Sequence, residues 1–137
     1  MDPTDVLQTY IDAVMNKDID KLMALYDEDL REFDAWDQWE ADKQRLRENF
    51  EGWFEWLGDD HNHVHFNDVK LIEDDKLAVI QGYAVFDQLN QQGELVESMK
   101  NRFTLALICE NDSWKIWHEH FSIPVEMDGL KGILDGD

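Results

Sequence analysis

All five histidines of this chain fall in two alternating groups, His61, His63 and His65, and His118 and His120. Alternate residues of a strand share a face, so each group presents its imidazoles together, as metal ligation or proton transfer by histidine needs. Asp59 and Asp60 could add oxygen ligands to the first group. One-residue spacing is also the ordinary alternation of a strand, and the first group begins in a Gly-Asp-Asp-His-Asn loop, so no native metal site is expected. The second group sits in the run from Trp114 to Pro124, which holds two of the six tryptophans and is ended by a proline that cannot donate to a ladder. Strict alternation places Trp114, Ile116, His118, His120 and Ser122 on one face, and Lys115, Trp117, Glu119, Phe121 and Ile123 on the other. Neither face is uniformly apolar, so both are expected to touch something.

The elements that must hold these residues follow from periodicity. Pro3 or Thr4 can start a helix whose apolar positions Val6, Leu7, Tyr10, Ile11, Val14 and Met15 recur at helical spacing. Asp18 can cap a second, shorter helix carrying Ile19, Leu22, Met23 and Tyr26, and Asp27 to Asp29 break the pattern. A short strand is predicted over 30–35. A third helix over 40–57 gathers Leu46, Phe50, Trp53, Phe54 and Leu57 on one stripe, with Gly58 where a helix often stops. Beyond it the period changes from helical to alternating. Polar clusters at 73–75, 90–93 and 110–113 separate four strands of an antiparallel meander. Helices first and strands later predict an α+β domain with its helices on one face of a curved sheet. Residues 125–137, with three glycines and three aspartates, are expected to form a loose C-terminal tail of a single domain spanning 1–137.

A formal charge of −20, from 32 acids against 12 bases, repels phosphate backbones and anionic membranes, so neither nucleic acid nor membrane is an expected partner. There is no apolar run of membrane-spanning length, and the acidic N-terminus is unlike a secretory signal, so a soluble cytoplasmic protein is expected. Cys109, the single cysteine, indicates no redox role.

The order helix, helix, strand, helix, meander, ending in W-x-I-x-H-x-H-x-S-x-P, resembles the nuclear transport factor 2-like superfamily over residues 4–124, and more narrowly its SnoaL-like and ketosteroid-isomerase-like domains. The segment from Tyr10 through Tyr26 to Asp29 and the run from Arg102 to Thr104 carry the likeness, and the ending is also similar to the association domain of calcium/calmodulin-dependent kinase. The resemblance implies a cystatin-like cone: a curved antiparallel sheet packed against three N-terminal helices, with a pocket at its wide mouth and an outer face that commonly pairs two copies.

It also implies roles. Tyr10 falls at the isomerases' oxyanion-hole tyrosine, Asp34 at their general base and Tyr26 at a supporting tyrosine, while Phe50 replaces a third pocket tyrosine. Their second acid is absent from its strand, where Arg102 and Thr104 stand instead, so steroid isomerisation is not expected. A pocket Arg102 would favour an apolar ligand bearing an oxygen or carboxylate. The same comparison turns Trp117, Glu119 and Phe121 into the pocket, roofed by Trp53, and leaves His118 and His120 outside; a bulge that shifted the register would let His118 act as acid or base. The expected function is a homodimeric small-molecule pocket protein, with cofactor-free proton transfer by Asp34, Tyr10 and Arg102 if it is catalytic. A non-catalytic association module is the alternative.

Overall fold

The computed structural model describes residues 2–136; the outermost residues of the expected domain, Met1 and Asp137, lie outside the described residues. Helix α1 spans Asp5–Met15 and buries Val6, Leu7, Tyr10, Ala13 and Val14, as its apolar spacing requires. Helix α2, Ile19–Met23, starts at Asp18, whose side chain accepts from the Lys21 amide. Asp42 does the same for α3, Lys43–Leu57, accepting from Arg45 at 2.8 Å, which places that helix start three residues later than expected. Gly58, at φ 59°, ends α3 in a conformation that few other residues adopt at low cost.

The strands are β1 (Tyr26–Phe33), β2 (His61–Glu73), β3 (Leu77–Leu89), β4 (Leu95–Glu110) and β5 (Ser113–Ser122). They form one sheet in the order β1-β5-β4-β3-β2. β2 to β5 make the antiparallel meander read from the polar breaks, whereas β1 runs parallel to β5 and makes the sheet mixed. β1 begins at Tyr26 because Asp27, Glu28 and Asp29, which look like a break, are tolerated at the solvent-facing edge of the sheet.

Irregularities curve the sheet. β2 shifts register between Asn67 and Lys70, with Asp68 at φ 51°. Gly82 on β3 packs against this bulge so closely that a Cβ would stand 2.9 Å from the Asn67 carbonyl oxygen. A second shift lies between Ala106 and Leu107 of β4: Ala106 pairs with His118 and Leu107 with Ile116, leaving Trp117 as the extra residue.

The helices cover the concave face, and the core between them includes Val14, Leu22, Tyr26, Val64, Ile80, Leu107 and Ile116, all nearly free of solvent. Toward the wide end this core turns aromatic. Tyr10 meets Phe50 and Phe66 edge-on, Phe66 meets Phe103, and Trp53 meets Phe86, which in turn meets Phe121. Residues 125–136, expected as a loose tail, are largely exposed but fold back through a turn at Gly129 and Leu130, both at positive φ. Val125 bridges Gly132, and the Lys100 amide donates to the Leu134 carbonyl at 2.9 Å.

Candidate functional site

The aromatic end of the core opens into a cavity of about 760 Å³ between the concave sheet face, α1 and α3. Tyr10, Asp34, Phe50, Trp53, Glu119 and Phe121 all line it, so six residues scattered over the sequence are brought around one cavity. Tyr26 lies one layer deeper. It is 1% exposed, and its hydroxyl donates to Oε1 of Glu119 at 2.7 Å.

Three expected lining residues lie elsewhere. On β4 the inward positions are Asn101, Phe103, Leu105 and Leu107, so Arg102 and Thr104 point away from the cavity. Arg102 is exposed and its Nε donates to Ser122 Oγ at 3.1 Å, so the pocket arginine, and the carboxylate-bearing ligand it would have anchored, lose their basis. Trp117 is 49% exposed because the bulge turns it out. Trp114 and Ile116 therefore face inward before the bulge, and Glu119 and Phe121 after it. His118 stays outside, its ring 5.0 Å from that of Phe33 and its Nδ1 2.6 Å from the Arg31 carbonyl oxygen. The bulge considered for turning the histidines inward thus exists, but it turns a tryptophan outward instead.

The first histidine group is likewise on the outer side of its strand, where Asn62 and Val64 face inward. His65 Nε2 lies 3.0 Å from Asp87 Oδ2. Among the described residues no three His, Cys, Asp or Glu side chains are grouped to hold a metal ion.

Sequence reasoning named Glu119 as a pocket residue but missed its partner. Glu32 on β1 stands opposite Glu119 on β5, and the two carboxyls are 2% and 1% exposed. A hydrogen bond joins them, which requires a shared proton. Burial, followed by the charges of Glu119 and Asp34, pushes the Glu32 carboxyl up to about 10. Burial also raises Glu119, to about 7, against the opposing effect of hydrogen bonds from Tyr26 and Glu32. At neutral pH Glu32 is therefore a hydrogen-bond donor, and Glu119 is divided between acid and base. Asp34 is raised by burial too, although the Ala35 amide donates to its Oδ1 at 2.6 Å and opposes the rise. Burial first, then Glu119, Asp34 and Glu32, hold the Tyr10 phenol well above its usual range, so it is a neutral donor. Burial and then Glu119 do the same to Tyr26.

Among the described residues, three buried side-chain polar atoms have no protein partner: Glu32 Oε1, Asn62 Oδ1 and Asn101 Nδ2. All three residues line the cavity. A signal for Glu32 was present in the sequence, since Leu30, Glu32 and Asp34 alternate on the strand read over 30–35. Asn62 gave none, because it lies at a loop–strand junction whose register depends on its neighbour.

The helix-covered mixed sheet defines the cystatin-like α+β class in its nuclear transport factor 2-like form. The chain belongs to the SnoaL-like domain family, whose pattern matches residues 4–126. A nuclear transport factor 2-like protein of unknown function from Pseudomonas putida is 19% identical, the alignment covering 97% of this chain and 92% of that one, with a TM-score of 0.83. A nuclear transport factor 2-like protein of unknown function in nutrient uptake from Rhodospirillum rubrum is 19% identical over 91% of this chain and 100% of that one, with a TM-score of 0.72. A protein with a cystatin-like fold from Nostoc punctiforme is 11% identical over 88% and 87%, with a TM-score of 0.69. No curated protein matches the chain.

Proposed function

We propose that this protein binds a small, largely apolar molecule in its cavity and moves a proton on it without a cofactor. One observation carries the reading: the hydrogen-bonded Glu32–Glu119 pair forms part of the wall of a 760 Å³ aromatic cavity. Two carboxyls with raised, well separated affinities for protons supply an acid and a base together, as general acid–base catalysis at neutral pH requires. Glu119 or Asp34 takes a proton from a carbon next to a carbonyl, and Tyr10 donates a hydrogen bond to the oxygen that gains charge. The apolar walls keep water from competing for that donor. The Arg102 assigned to this task from sequence is replaced by a neutral donor, Tyr10.

Exchange of solvent deuterium into a panel of cyclic and aryl ketones, with and without amino groups, tests this chemistry by NMR at pH 7. Wild-type protein should speed exchange in at least one compound, and Glu119→Gln or Asp34→Asn should slow it by about a hundredfold or more. A panel in which wild-type protein never exceeds the buffer rate sinks the proton-transfer reading.

The outer face of the sheet supports a further reading, association with a second copy in the cytoplasm. Val79, Tyr83 and Trp117 are exposed on the outer face that also carries His118 and His120, apolar surface that a second copy would cover. Sedimentation at micromolar concentration should give a dimer that Trp117→Glu dissociates, and a wild-type monomer removes the association reading.

A further inference from the structure

We propose that the cavity selects a molecule with an apolar ring system carrying a protonated amine, seated against Glu32, Glu119 and Asp34. This deepens the preceding proposal and rests on its reading of the cavity as a ligand site.

The argument starts from charge. Five carboxyls, those of Glu32, Asp34, Asp37, Glu97 and Glu119, are among the described residues lining the cavity, against one base, Arg45. Arg45 is exposed, at the N-terminal turn of α3. Its Nε donates to Gln38 Oε1 at 3.2 Å, and its guanidinium lies 3.7 Å from Glu48. The guanidinium that would have welcomed an anion, Arg102, is on the opposite face. A carboxylate entering this space would meet carboxyls with no interior counter-charge, and a desolvated anion so placed is strongly disfavoured.

The second observation is independent of charge. Glu32 Oε1 and Asn62 Oδ1 are buried acceptors on lining residues with no partner in the protein. Buried acceptors are ordinarily satisfied, so a pair left open in a cavity marks the place of a donor-rich guest. An ammonium brings three N–H donors and no acceptor, which suits Glu32 Oε1 and the Glu119 carboxylate opposite it, while Asn62 Oδ1, on the other edge strand, suits a further donor of the guest. Asn101 Nδ2, the remaining unpartnered atom, is a donor and suits an oxygen elsewhere on the same guest. Phe50, Trp53, Phe86 and Phe121 supply the apolar surface for a ring system, and their π-faces attract a cation.

Protonation responds to the guest. The groups facing Glu119 are Glu32 and Tyr26 from β1, Asp34 just beyond that strand, and Tyr10 from α1. All are acids or neutral donors, so a bound ammonium is the counter-charge that lets Glu119, held at about 7, ionise fully. Binding at pH 7 therefore releases protons to the buffer.

Titration calorimetry on the full chain with naphthylethylammonium, naphthylethanol and naphthylacetate, in two buffers of different ionisation heat, tests the inference. The ammonium is expected to bind about tenfold or more tighter than the alcohol, and the acetate more weakly than either, with about half a proton released per ammonium bound. Glu119→Gln should erase most of the ammonium's advantage, Glu32→Gln, which keeps the open acceptor, should retain most of it, and Arg102→Ala should leave the order intact. Should the buried variants misfold, Asp34→Asn at the strand end must weaken the ammonium selectively. Acetate or alcohol binding as well as the ammonium, or none of the three binding, overturns the inference. Ketone exchange without ammonium preference would leave the proton-transfer reading standing alone. Ammonium preference without exchange would leave the charge selection and remove the chemistry.

Discussion

Replacing Glu32 by glutamine should make the protein less sensitive to alkali. The glutamine keeps the size and a hydrogen-bond donor toward Glu119 but never ionises. In the wild-type fold the Glu32 carboxyl is pushed by burial from its ordinary 4.5 up to about 10, so between those values the native chain holds a proton that the unfolded chain has released. Stability rises with pH only where the unfolded state binds more protons; here the native state binds more, so stability is full below about 4.5 and is lost as pH climbs toward 10. One proton of difference is worth about 1.4 kcal/mol per pH unit. Between pH 6 and pH 8 the wild type should therefore lose about 3 kcal/mol relative to Glu32→Gln. At this chain length that is roughly 10 °C in Tm. Titrations of groups away from Glu32 cancel in the comparison, and the donor that glutamine retains keeps the hydrogen bond to Glu119. Urea unfolding followed by tryptophan fluorescence at pH 6, 7 and 8 measures the gap directly. Parallel wild-type and variant stabilities across that range would mean that Glu32 ionises as it does in water, and the acid–base pairing would have to be abandoned.

Removing the Tyr26 hydroxyl with Tyr26→Phe should cost about 1.5–3 kcal/mol, the usual loss for a buried hydrogen bond to a charged acceptor. It should also raise the Glu119 midpoint above about 7, since that bond favours the carboxylate; a carbon-13 NMR titration of the Glu119 carboxyl with an unmoved midpoint would contradict the assignment. Gly82→Ala should destabilise by roughly 1–3 kcal/mol, because its Cβ meets backbone oxygens of Asn67 and Asp68 at 2.9 and 3.0 Å. Gly52→Ala, in α3 with nothing within 4 Å of the new Cβ, should stabilise by up to about 1 kcal/mol. Thermal unfolding of the two glycine variants with the same sign of shift would refute the close approach at the β2 bulge.

Much of the fold was legible because its signals are local. The apolar stripe from Val6 to Val14, the capping aspartate at position 18 and the polar breaks between strands each act within a few residues, and they set the helices and the meander. The parallel docking of β1 on β5 was not legible, because it joins Glu32 to Glu119 across most of the chain. Parity on β4 could have been read: Phe103, Leu105 and Leu107 are its apolar alternation, which fixes Asn101 inward and Arg102 and Thr104 outward. The family resemblance drew attention to the arginine, and the strand's own pattern was the better guide. On β5 no such rule was available. Strict alternation from Trp114 and Ile116 would have brought His118 and His120 inward, and only the extra residue at Trp117 exchanges them for Glu119 and Phe121.

That single bulge decides the chemistry of the cavity. Without it, alternation from Ile116 would put two imidazoles on the inner face, where they could take up positive charge near neutral pH and welcome an anion. With it, Glu119 meets Glu32, and a chain with a formal charge of −20 buries two of its 32 acids against each other. Buried like charges oppose folding, and one of them must hold a proton for the pair to persist. A fold rarely keeps so unfavourable an arrangement for its packing alone, since two glutamines would fill the same space without the penalty. The pair also lies where the hydrophobic lining opens, with Tyr26 fixing one carboxyl and Glu32 Oε1 left free toward the cavity. Local conflict, raised proton affinity and an open acceptor therefore coincide at one place, and a bound donor would relieve all three.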